Sequence, residues 1–514
     1  MARISRVVME ARVRELLDSL RNDLEEGRLR PGGYLPSEVE LGAAFRLSKE
    51  SVRKALDELV AEGRIEKIRR VGNKVTERGG ETPLQGKKGE PAPAEKFAPR
   101  GGGAAAAGGK HTWTTDDEAK DREASRAVPE AVASGRAATV GAETRTRLRL
   151  AYHPLLEKEA ALPELAARFE ARHPGCTVEL LPTPFPHAYA EHGLADVFTL
   201  SAWDALKLRD RDPALSLLGE VPETNAAHPK LLSPFRDSGG RVAAAPLIYS
   251  PVVLCYNRDH FREAGVEEPE ADWTWYSLLR AARHLSRTLD VWGFAVHIQS
   301  VNRWPVFLLQ NGFRFRQEEG KRASDDPALW ESLRLPRDLL HQQRRPQPLL
   351  TENDSDVERW FREGKASMIM TTYFGLNGLL SSNLRYGIAP LPRLRTADTL
   401  LLVTGLAIRR GTEAAEEAAE LVRFLCGEEA QTGIRRETLS PPAHPAAQRL
   451  AEGLRGNRPE AAPVLDKLWP DCREYGDLRL GAAVLEAVRE ELKAYWSRLE
   501  DEGEASERLE HLGL

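Results

Sequence analysis

Cysteine is scarce in this chain of 514 residues, which contains only four. Cys176, Cys255, Cys426 and Cys472 lie far apart and form neither a CxxC pair nor a Cys/His pair. Such spacing argues against a disulfide framework and against a zinc site, and it is typical of a protein from a reducing compartment.

Long apolar runs are also missing. No uninterrupted stretch of about 18 apolar residues occurs, and the first residues, MARISRVVMEARVRELL, lack the apolar segment and cleavage site of a signal peptide. We therefore expect a cytoplasmic protein with no membrane partner.

The sequence contains none of the common catalytic motifs. It has no nucleophile elbow, HExxH motif, Walker-type loop or paired metal-ligand cluster, although 29% of its residues are charged. His153, His173, His187 and His192 are scattered, and ordinary core or surface roles account for them. We expect a protein that is not an enzyme and that has neither a metal nor a cofactor.

Charge is distributed unevenly along the chain. The net charge is −5, yet residues 1–78 contain slightly more Lys and Arg than Asp and Glu. A locally basic module attached to an acidic remainder is compatible with nucleic-acid binding. Because the excess is small, we expect firm binding to need a dimer.

The basic segment reads as three helices and a hairpin. An amphipathic helix over about 7–26 precedes Pro31-Gly32-Gly33, and Ser37 caps a short second helix whose face includes Leu41, Ala44 and Phe45. Ser48 caps a third helix over 49–62, and strands at 65–68 and 74–76 flank a basic tip at 69–73. A helix with basic and small polar residues at its start suits the DNA major groove.

This segment, PGxxLPSExELxxxFxxSxxSVRKALxELxxEG followed by a basic hairpin, resembles the winged helix-turn-helix of the GntR family of bacterial transcription regulators. Val39 and Lys49 depart from the family, which commonly has Arg at both positions. Arg53 has two alternative roles, DNA contact or an ion pair with Glu38 or Glu58 that braces the fold. The resemblance implies DNA contacts by these residues: Ser37, Ser48, Lys49, Ser51, Arg53, Arg69, Arg70 and Lys74.

Composition changes sharply after residue 78. Residues 79–146 are rich in Gly, Ala, Pro and charge, with too little apolar surface to offset the entropy of ordering. We predict a flexible linker here, between a DNA-binding domain over 1–78 and a larger domain over 147–514.

Strand and helix patterns alternate from residue 147 onward. Strands are predicted at 148–153, 177–181 and 195–200, with helices at 158–173 and 202–209. This alternation favours an open, mostly parallel α/β sheet, in which ligands bind beyond the carboxyl ends of the strands.

The same region resembles the sugar-type solute-binding proteins of ABC importers. Ordered segments such as APLIYSPVVLCYNRDHFREAG, DWTWYSLLRAARHLS and WFREGKASMIM carry the resemblance. It implies a two-lobed α/β periplasmic-binding-protein-like fold of type II. Tyr276-Ser277 replaces an acidic pair usual in the family, and Thr372 replaces a Gly near the cleft.

Aromatic and polar residues at family cleft positions are the candidate ligand contacts. Sugar sites combine aromatic platforms with a few hydrogen-bonding groups in a concave cleft, and for each aromatic residue packing inside a lobe is the alternative. Trp275, Trp292 and Trp330 are assigned to packing, and Arg303 lies near the candidates. The predicted contacts are Asp196, Trp203, Tyr249, Asn302, Trp304, Tyr373, Phe374 and Gly405.

Together these features predict a ligand-responsive transcription regulator. Its partners would be double-stranded operator DNA, bound as a homodimer, and a small effector, a sugar or oligosaccharide. The alternatives are a sensor domain without ligand that serves as a dimerisation body, or a solute-binding protein without a regulatory role.

Overall fold

The computed structural model describes two parts of the chain. The N-terminal part comprises residues 13–14, 16–17, 19–21, 23–24, 29, 35, 41, 47, 49–68 and 72–76. The C-terminal part comprises residues 145–514 without 227, 316–321, 342–350 and 460–463. These parts belong to two separate compact units. Nearly all of the predicted linker lies outside the described residues.

The N-terminal unit is built around helix α1, Lys49–Ala61. Gly63 ends this helix in the left-handed region, at φ 70°. The described residues between 13 and 24 are helical as well. Apolar residues from both segments and from the hairpin share one core: Leu16, Leu17, Leu20, Leu35, Leu41, Val52, Ala55, Leu56, Leu59, Ile65 and Val75.

A short antiparallel hairpin follows α1. Strand β1, Ile65–Ile68, pairs with β2, Gly72–Val75, so that Ile68 faces Gly72. The predicted tip over 69–73 is therefore too long, because Asn73 belongs to the ladder and its carbonyl accepts a hydrogen bond from Leu35 N at 2.9 Å. The tip itself, residues 69–71, lies outside the described residues.

The C-terminal unit begins with three strands: β3, Thr146–Tyr152; β4, Cys176–Pro182; and β5, Val197–Ser201. β3 lies between β4 and β5 and is parallel to both. Four helices connect and follow these strands: α2, Leu156–Glu159; α3, Leu162–Arg172; α4, Pro186–Glu191; and α5, Ala202–Arg211.

The single helix predicted over 158–173 is two helices in the structure. Ala161 takes a left-handed conformation, at φ 49°, and separates α2 from α3. Pro163 then occupies the first turn of α3, where its missing N–H costs no intrahelical hydrogen bond.

Two long strands divide this unit into two lobes. Strand β6, Ala245–Asn257, pairs through its first half with β9, Thr399–Ile408, and through its second half with β7, Met368–Thr372, and β8, Tyr386–Ala389. β9 continues beside β5. The first lobe therefore holds β3, β4 and β5, and the second lobe holds β7 and β8.

The prediction of a mostly parallel sheet is confirmed for the three strands from which it was made, but it is wrong for the sheet as a whole. The strand order is β4-β3-β5-β9-β6-β7, and β9 runs antiparallel to both β5 and β6. The sheet is mixed because the two long strands pass between the lobes in opposite directions. All thirteen residues of β6 are buried, which explains its nearly continuous apolar sequence.

The remaining elements cover the sheet and complete the second lobe. They are α6, Arg258–Glu263; α7, Trp275–Leu289; α8, Pro305–Gln310; α9, Pro327–Leu340; α10, Asp354–Arg362; α11, Tyr373–Leu376; α12, Ala415–Cys426; α13, Glu428–Glu437; α14, Pro445–Gln448; α15, Val464–Leu468; β10, Cys472–Arg473; α16, Ala482–Trp496; and α17, Glu502–His511. Trp275 and Trp330 are buried in the core, as predicted.

Candidate functional site

A cavity of about 730 Å³ lies between the two lobes. The first lobe contributes the end of β3, helix α2, the end of β5 and the start of α5. The second lobe contributes the loop before α8, helix α10 and the segment from β7 into α11, while β9 passes along the cavity between the lobes. This volume is within the range typical of small-molecule sites.

The carboxyl ends of β3 and β5 supply the polar wall of the first lobe. His153 follows β3 directly, and its backbone N–H donates to Thr199 Oγ1 at 3.2 Å. Ser201 caps α5: its Oγ accepts from Asp204 N at 3.1 Å and donates to the Asp204 carboxylate at 2.7 Å. All four of these residues line the cavity, as expected for a site beyond parallel strand ends.

A buried ion pair stiffens the facing wall. Arg303 is only 2% exposed; its guanidinium lies 3.2 Å from the Asp354 carboxylate, and its Nε donates to Met370 O at 3.2 Å. Ser300 Oγ donates to the same carboxylate at 2.7 Å. The positive charge of Arg303 is thus balanced by Asp354, which belongs to the same lobe.

Two partly exposed aromatic side chains line the cavity, one from each lobe. Trp203 lies in the first turn of α5 and packs on Tyr475, with ring centroids 4.9 Å apart. Phe374 lies in the first turn of α11, where Thr372 Oγ1 accepts from Gly375 N at 3.2 Å. Aromatic faces of this kind can pack against the C–H face of a sugar ring.

Burial shifts the pKa values of several cavity groups. It raises the pKa of Glu159 to about 8, with a further contribution from the Glu358 carboxylate. It raises the pKa of Glu358 to about 7, although Arg303 opposes the shift. Burial also lowers the pKa of His153, against the attraction of Asp204. Burial disfavours charged forms in each case.

The family comparison decides what the larger unit is. The sequence profile of the bacterial extracellular solute-binding proteins matches residues 153–432, which is more than half of the chain. The chain belongs to this family. The profile of the bacterial regulatory proteins of the gntR family matches residues 12–75. A GntR DNA-binding domain therefore precedes the solute-binding domain, and neither family is a family of enzymes.

Curated relatives of this solute-binding protein are distant. The ABC transporter periplasmic-binding protein YcjN of Escherichia coli is 25% identical over 292 residues, which are 52% of this chain and 66% of the relative. A binding protein of Brucella abortus is 23% identical over 195 residues, 36% of this chain and 47% of the relative. The chain spans about half the length of the Brucella proteins that it matches.

Solved structures share the fold of the larger unit. The GacH receptor of Streptomyces glaucescens superposes with a TM-score of 0.61 at 17% identity, covering 71% of this chain and 96% of the receptor. The Listeria monocytogenes substrate-binding protein Lmo0181, in complex with cycloalternan, gives 0.59 at 18% identity, covering 72% and 98%. Maltose-bound MalE3 of T. maritima gives 0.59 at 19% identity, covering 72% and 99%. The family and fold given by the sequence resemblance are confirmed.

Of the predicted ligand contacts, three line the cavity of this solute-binding protein: Trp203, Asn302 and Phe374. Asn302 is held in place because its Oδ1 accepts a hydrogen bond from Tyr475 Oη. These three residues come from both lobes and surround the same space. Arg303, named beside them in the sequence, lines it as well.

The other five predicted contacts lie outside the cavity. Asp196 precedes β5, at the end opposite to the cavity, and its carboxylate accepts hydrogen bonds from Arg149 and Thr412. Tyr249 is buried beside Trp469, and its hydroxyl accepts from Gln448 Nε2 at 2.8 Å. Both side chains already have structural partners.

Packing explains the remaining three. Trp304 is 1% exposed and lies against Trp496. Tyr373 is buried next to Ser250, which accepts its backbone N–H at 2.8 Å. Gly405 lies so close to β6 that a Cβ there would be 2.9 Å from Ala245 O. We therefore leave Asp196, Tyr249, Trp304, Tyr373 and Gly405 out of the proposed ligand set.

Sequence reasoning missed several cavity residues: His153, Glu159, Asp204 and Glu358. His153 is the last residue of the strand predicted at 148–153, and Asp204 lies in the helix that follows the strand predicted at 195–200. The rule that ligands bind beyond strand ends could therefore have found them. Nothing in the sequence pattern marks Glu159 or Glu358, because their position depends on how the lobes face each other.

The DNA-binding candidates are only partly within the described residues. Arg53 is exposed on α1 and Ser51 is half-buried there, while Lys74 is half-buried in β2. Lys49 is the first residue of α1. The side chain of Lys49, together with Ser37, Ser48, Arg69 and Arg70, lies outside what the structure describes.

Within the described part of the chain, no group of three or more His, Cys, Asp or Glu residues is arranged to hold a metal ion. The four cysteines are free and buried. A search of the helices formed by described residues finds none with the length and apolar content needed to cross a membrane.

Proposed function

We propose that this protein is a GntR-type transcription regulator whose solute-binding domain binds a small molecule and thereby changes operator affinity. The observation that supports this most directly is the cavity of about 730 Å³ between two lobes, in a chain that also carries a GntR domain. The protein would act in the cytoplasm, where operator DNA is found.

A carbohydrate is the ligand class that we propose. Trp203 and Phe374 offer aromatic surfaces from opposite lobes, and Asn302 and Asp204 offer hydrogen-bonding groups between them. This combination suits a molecule with apolar C–H faces and a rim of hydroxyls. Cycloalternan and maltose, named with two of the structurally similar proteins, are of the same class.

Operator recognition is assigned to the N-terminal domain. Helix α1 would enter the major groove with Lys49, Ser51 and Arg53, and the hairpin would contact the backbone or minor groove through Arg69, Arg70 and Lys74. Ser37 and Ser48 are also assigned to contacts with the DNA backbone. We propose a homodimer on a pseudo-palindromic operator.

The coupling we propose is thermodynamic linkage. A ligand held by both lobes binds the closed arrangement better than the open one, and it shifts that equilibrium only by its differential affinity. If the closed arrangement favours association of two sensor domains, the paired DNA-binding domains reach a higher effective concentration. Association can act in this way even through a long linker such as residues 79–146.

A thermal-unfolding screen with mono- and oligosaccharides tests the binding step. A saccharide at one hundred times its dissociation constant should add about 2.7 kcal/mol to the free energy of unfolding. Trp203→Ala should reduce the shift by about 1 kcal/mol or more at the same saccharide concentration, whereas Tyr276→Ala, which removes an aromatic residue exposed on the surface, should keep it. No shift with any saccharide would instead support a ligand-free dimerisation body.

A further inference from the structure

Two carboxyl groups enter the cavity from opposite lobes. Glu159 ends α2 in the first lobe, and Glu358 lies in α10 of the second. Both line the cavity, and the Glu358 carboxylate adds to the effect of burial in raising the pKa of Glu159. They belong to separate lobes, so anything bound between them also bridges the lobes.

Neither carboxyl forms a salt bridge with a residue that the structure describes, although Arg303 and Arg362 act on Glu358 through space. Glu159 has no side-chain hydrogen bond with a described residue, although it is half-buried. Glu358 accepts one hydrogen bond, from Thr371 Oγ1 at 3.1 Å. Unpaired buried charge is costly, and a bound counter-charge would remove that cost.

The carboxyl of Glu358 lies close to the backbone of Gly375. A Cβ at Gly375 would lie 1.7 Å from Glu358 Oε1 and 2.8 Å from Thr371 Oγ1. The absence of a side chain at 375 therefore makes the space that this carboxyl occupies, and the hydrogen bond from Thr371 fixes its direction.

The cations around the cavity do not neutralise the pair. Arg303 is paired with Asp354, and Arg359 with Asp356 at 2.9 Å. Arg362 lowers the pKa of Glu358 through space, yet burial and Asp354 keep that pKa raised. Lys158 is exposed where it lines the cavity. Of the charged side chains that line the cavity, five are acidic, namely Glu159, Asp204, Asp354, Asp356 and Glu358, and four are basic, namely Lys158, Arg303, Arg359 and Arg362.

We propose that Glu159 and Glu358 are the specificity-determining residues of the cavity and that they select a ligand with a protonated amine, such as an amino sugar. The sugar ring would pack against Trp203 and Phe374 while its ammonium group lies between the two carboxylates. This inference rests on the proposed function, since it assumes that the cavity binds a small molecule.

Proton release follows from this arrangement. With pKa values of about 8 and about 7 in the free protein, the pair carries bound protons near neutral pH. An ammonium group favours the ionised carboxylates, so binding expels those protons, and affinity for the amine should rise between pH 6 and pH 7.5. A neutral sugar would show neither effect.

The test compares amines with their matched neutral forms by calorimetry on the full chain. The probes are glucosamine and N-acetylglucosamine, the chitosan disaccharide and N,N′-diacetylchitobiose, and maltose. We expect the amines to bind more tightly than the neutral sugars, and proton release is measured by repeating the titration in buffers of different ionisation enthalpy.

Two variants test the roles of the carboxyl groups. Glu159→Gln or Glu358→Gln should weaken amine binding by at least about tenfold, whereas Glu164→Gln, on the exposed surface of α3, should not.

The outcomes separate this inference from the proposed function. Tighter binding of maltose or the acetylated sugars, unaffected by both Glu→Gln variants, would overturn amine selection and leave saccharide sensing intact. Absence of binding by every probe would count against both. Unchanged thermal unfolding of each variant at pH 5 excludes misfolding as the cause of lost binding.

Discussion

At the scale of single residues, the carboxyl of Glu159 makes the clearest prediction for the free protein. Its pKa is raised to about 8 by burial, so the folded state binds its proton more tightly than the unfolded state does. Stability should therefore fall as pH rises from about 5 to 8. Glu159→Gln removes this loss, and the variant should be more stable than the native protein at pH 8 by more than about 1.4 kcal/mol, the value of one pKa unit.

Urea unfolding at pH 5 and pH 8 measures this difference. At pH 5 the carboxyl is protonated in the folded state, so the native protein and Glu159→Gln should differ little. Glu164→Gln serves as the control at both pH values. If the difference in unfolding free energy between the native protein and Glu159→Gln were the same at pH 5 and pH 8, the raised pKa of Glu159 would be contradicted.

Trp203 carries the second prediction at this scale. Its ring lines the cavity with one face packed on Tyr475, so Trp203→Ala should weaken saccharide binding by about 1 kcal/mol or more. Titration calorimetry with the best saccharide from the unfolding screen gives the change. Tyr276→Ala should bind like the native protein, and equal affinity for Trp203→Ala would remove this ring from the site.

Individual residues also show where sequence reasoning reached its limit. Trp203, Asn302 and Phe374 were placed by family position and do line the cavity. Tyr249 and Trp304 also lie in segments where the family has cleft residues, yet their side chains are buried in the core. An aromatic side chain in a buried strand or at a helix start faces a cavity or a core depending on packing from distant segments, and local pattern does not contain that information.

At the scale of elements, strand β6 connects the lobes and is buried along its whole length. Leu254 is fully buried where β6 pairs with both β7 and β8. Leu254→Ala should destabilise the larger unit by about 2–5 kcal/mol. Leu499→Ala, at a residue that is 80% exposed, should change stability by less than about 0.5 kcal/mol. Similar unfolding midpoints for the two variants would contradict the structural role given to β6.

Helix α1 is the element to which we assign operator recognition. We expect Arg53→Ala or Lys49→Ala to weaken specific operator binding by roughly 1–3 kcal/mol, as measured by fluorescence anisotropy at fixed salt concentration. Arg262→Ala removes the same charge from an exposed site on the larger unit and should have little effect. If neither α1 variant changed operator affinity, other residues would have to recognise the operator.

The sequence predicted elements that depend on local features better than those that depend on the tertiary fold. Helix α1 was predicted to within one residue of its end, because its cap and its apolar spacing are local features. The break at Ala161 and the antiparallel course of β9 were not predicted, because a left-handed residue and the partner of a strand depend on the tertiary fold. No strand was predicted over β6, whose sequence was used only for the family resemblance, and its pairing with both lobes likewise depends on the tertiary fold.

At the scale of the whole molecule, the chain combines a domain that reads DNA with a domain whose family binds solutes. Allosteric coupling between two such sites is reciprocal, so operator DNA should change saccharide affinity by the same factor as the saccharide changes operator affinity. The regulator hypothesis thus predicts one coupling free energy, measurable from either side.

The most direct test is operator affinity of the full chain with and without a saturating saccharide, measured by fluorescence anisotropy together with oligomeric state. We predict a change of at least about fivefold, and in Trp203→Ala, which should still bind the operator, the saccharide concentration that gives half of this change should rise by about fivefold or more. Equal operator affinity and equal oligomeric state with and without the bound saccharide would contradict the account.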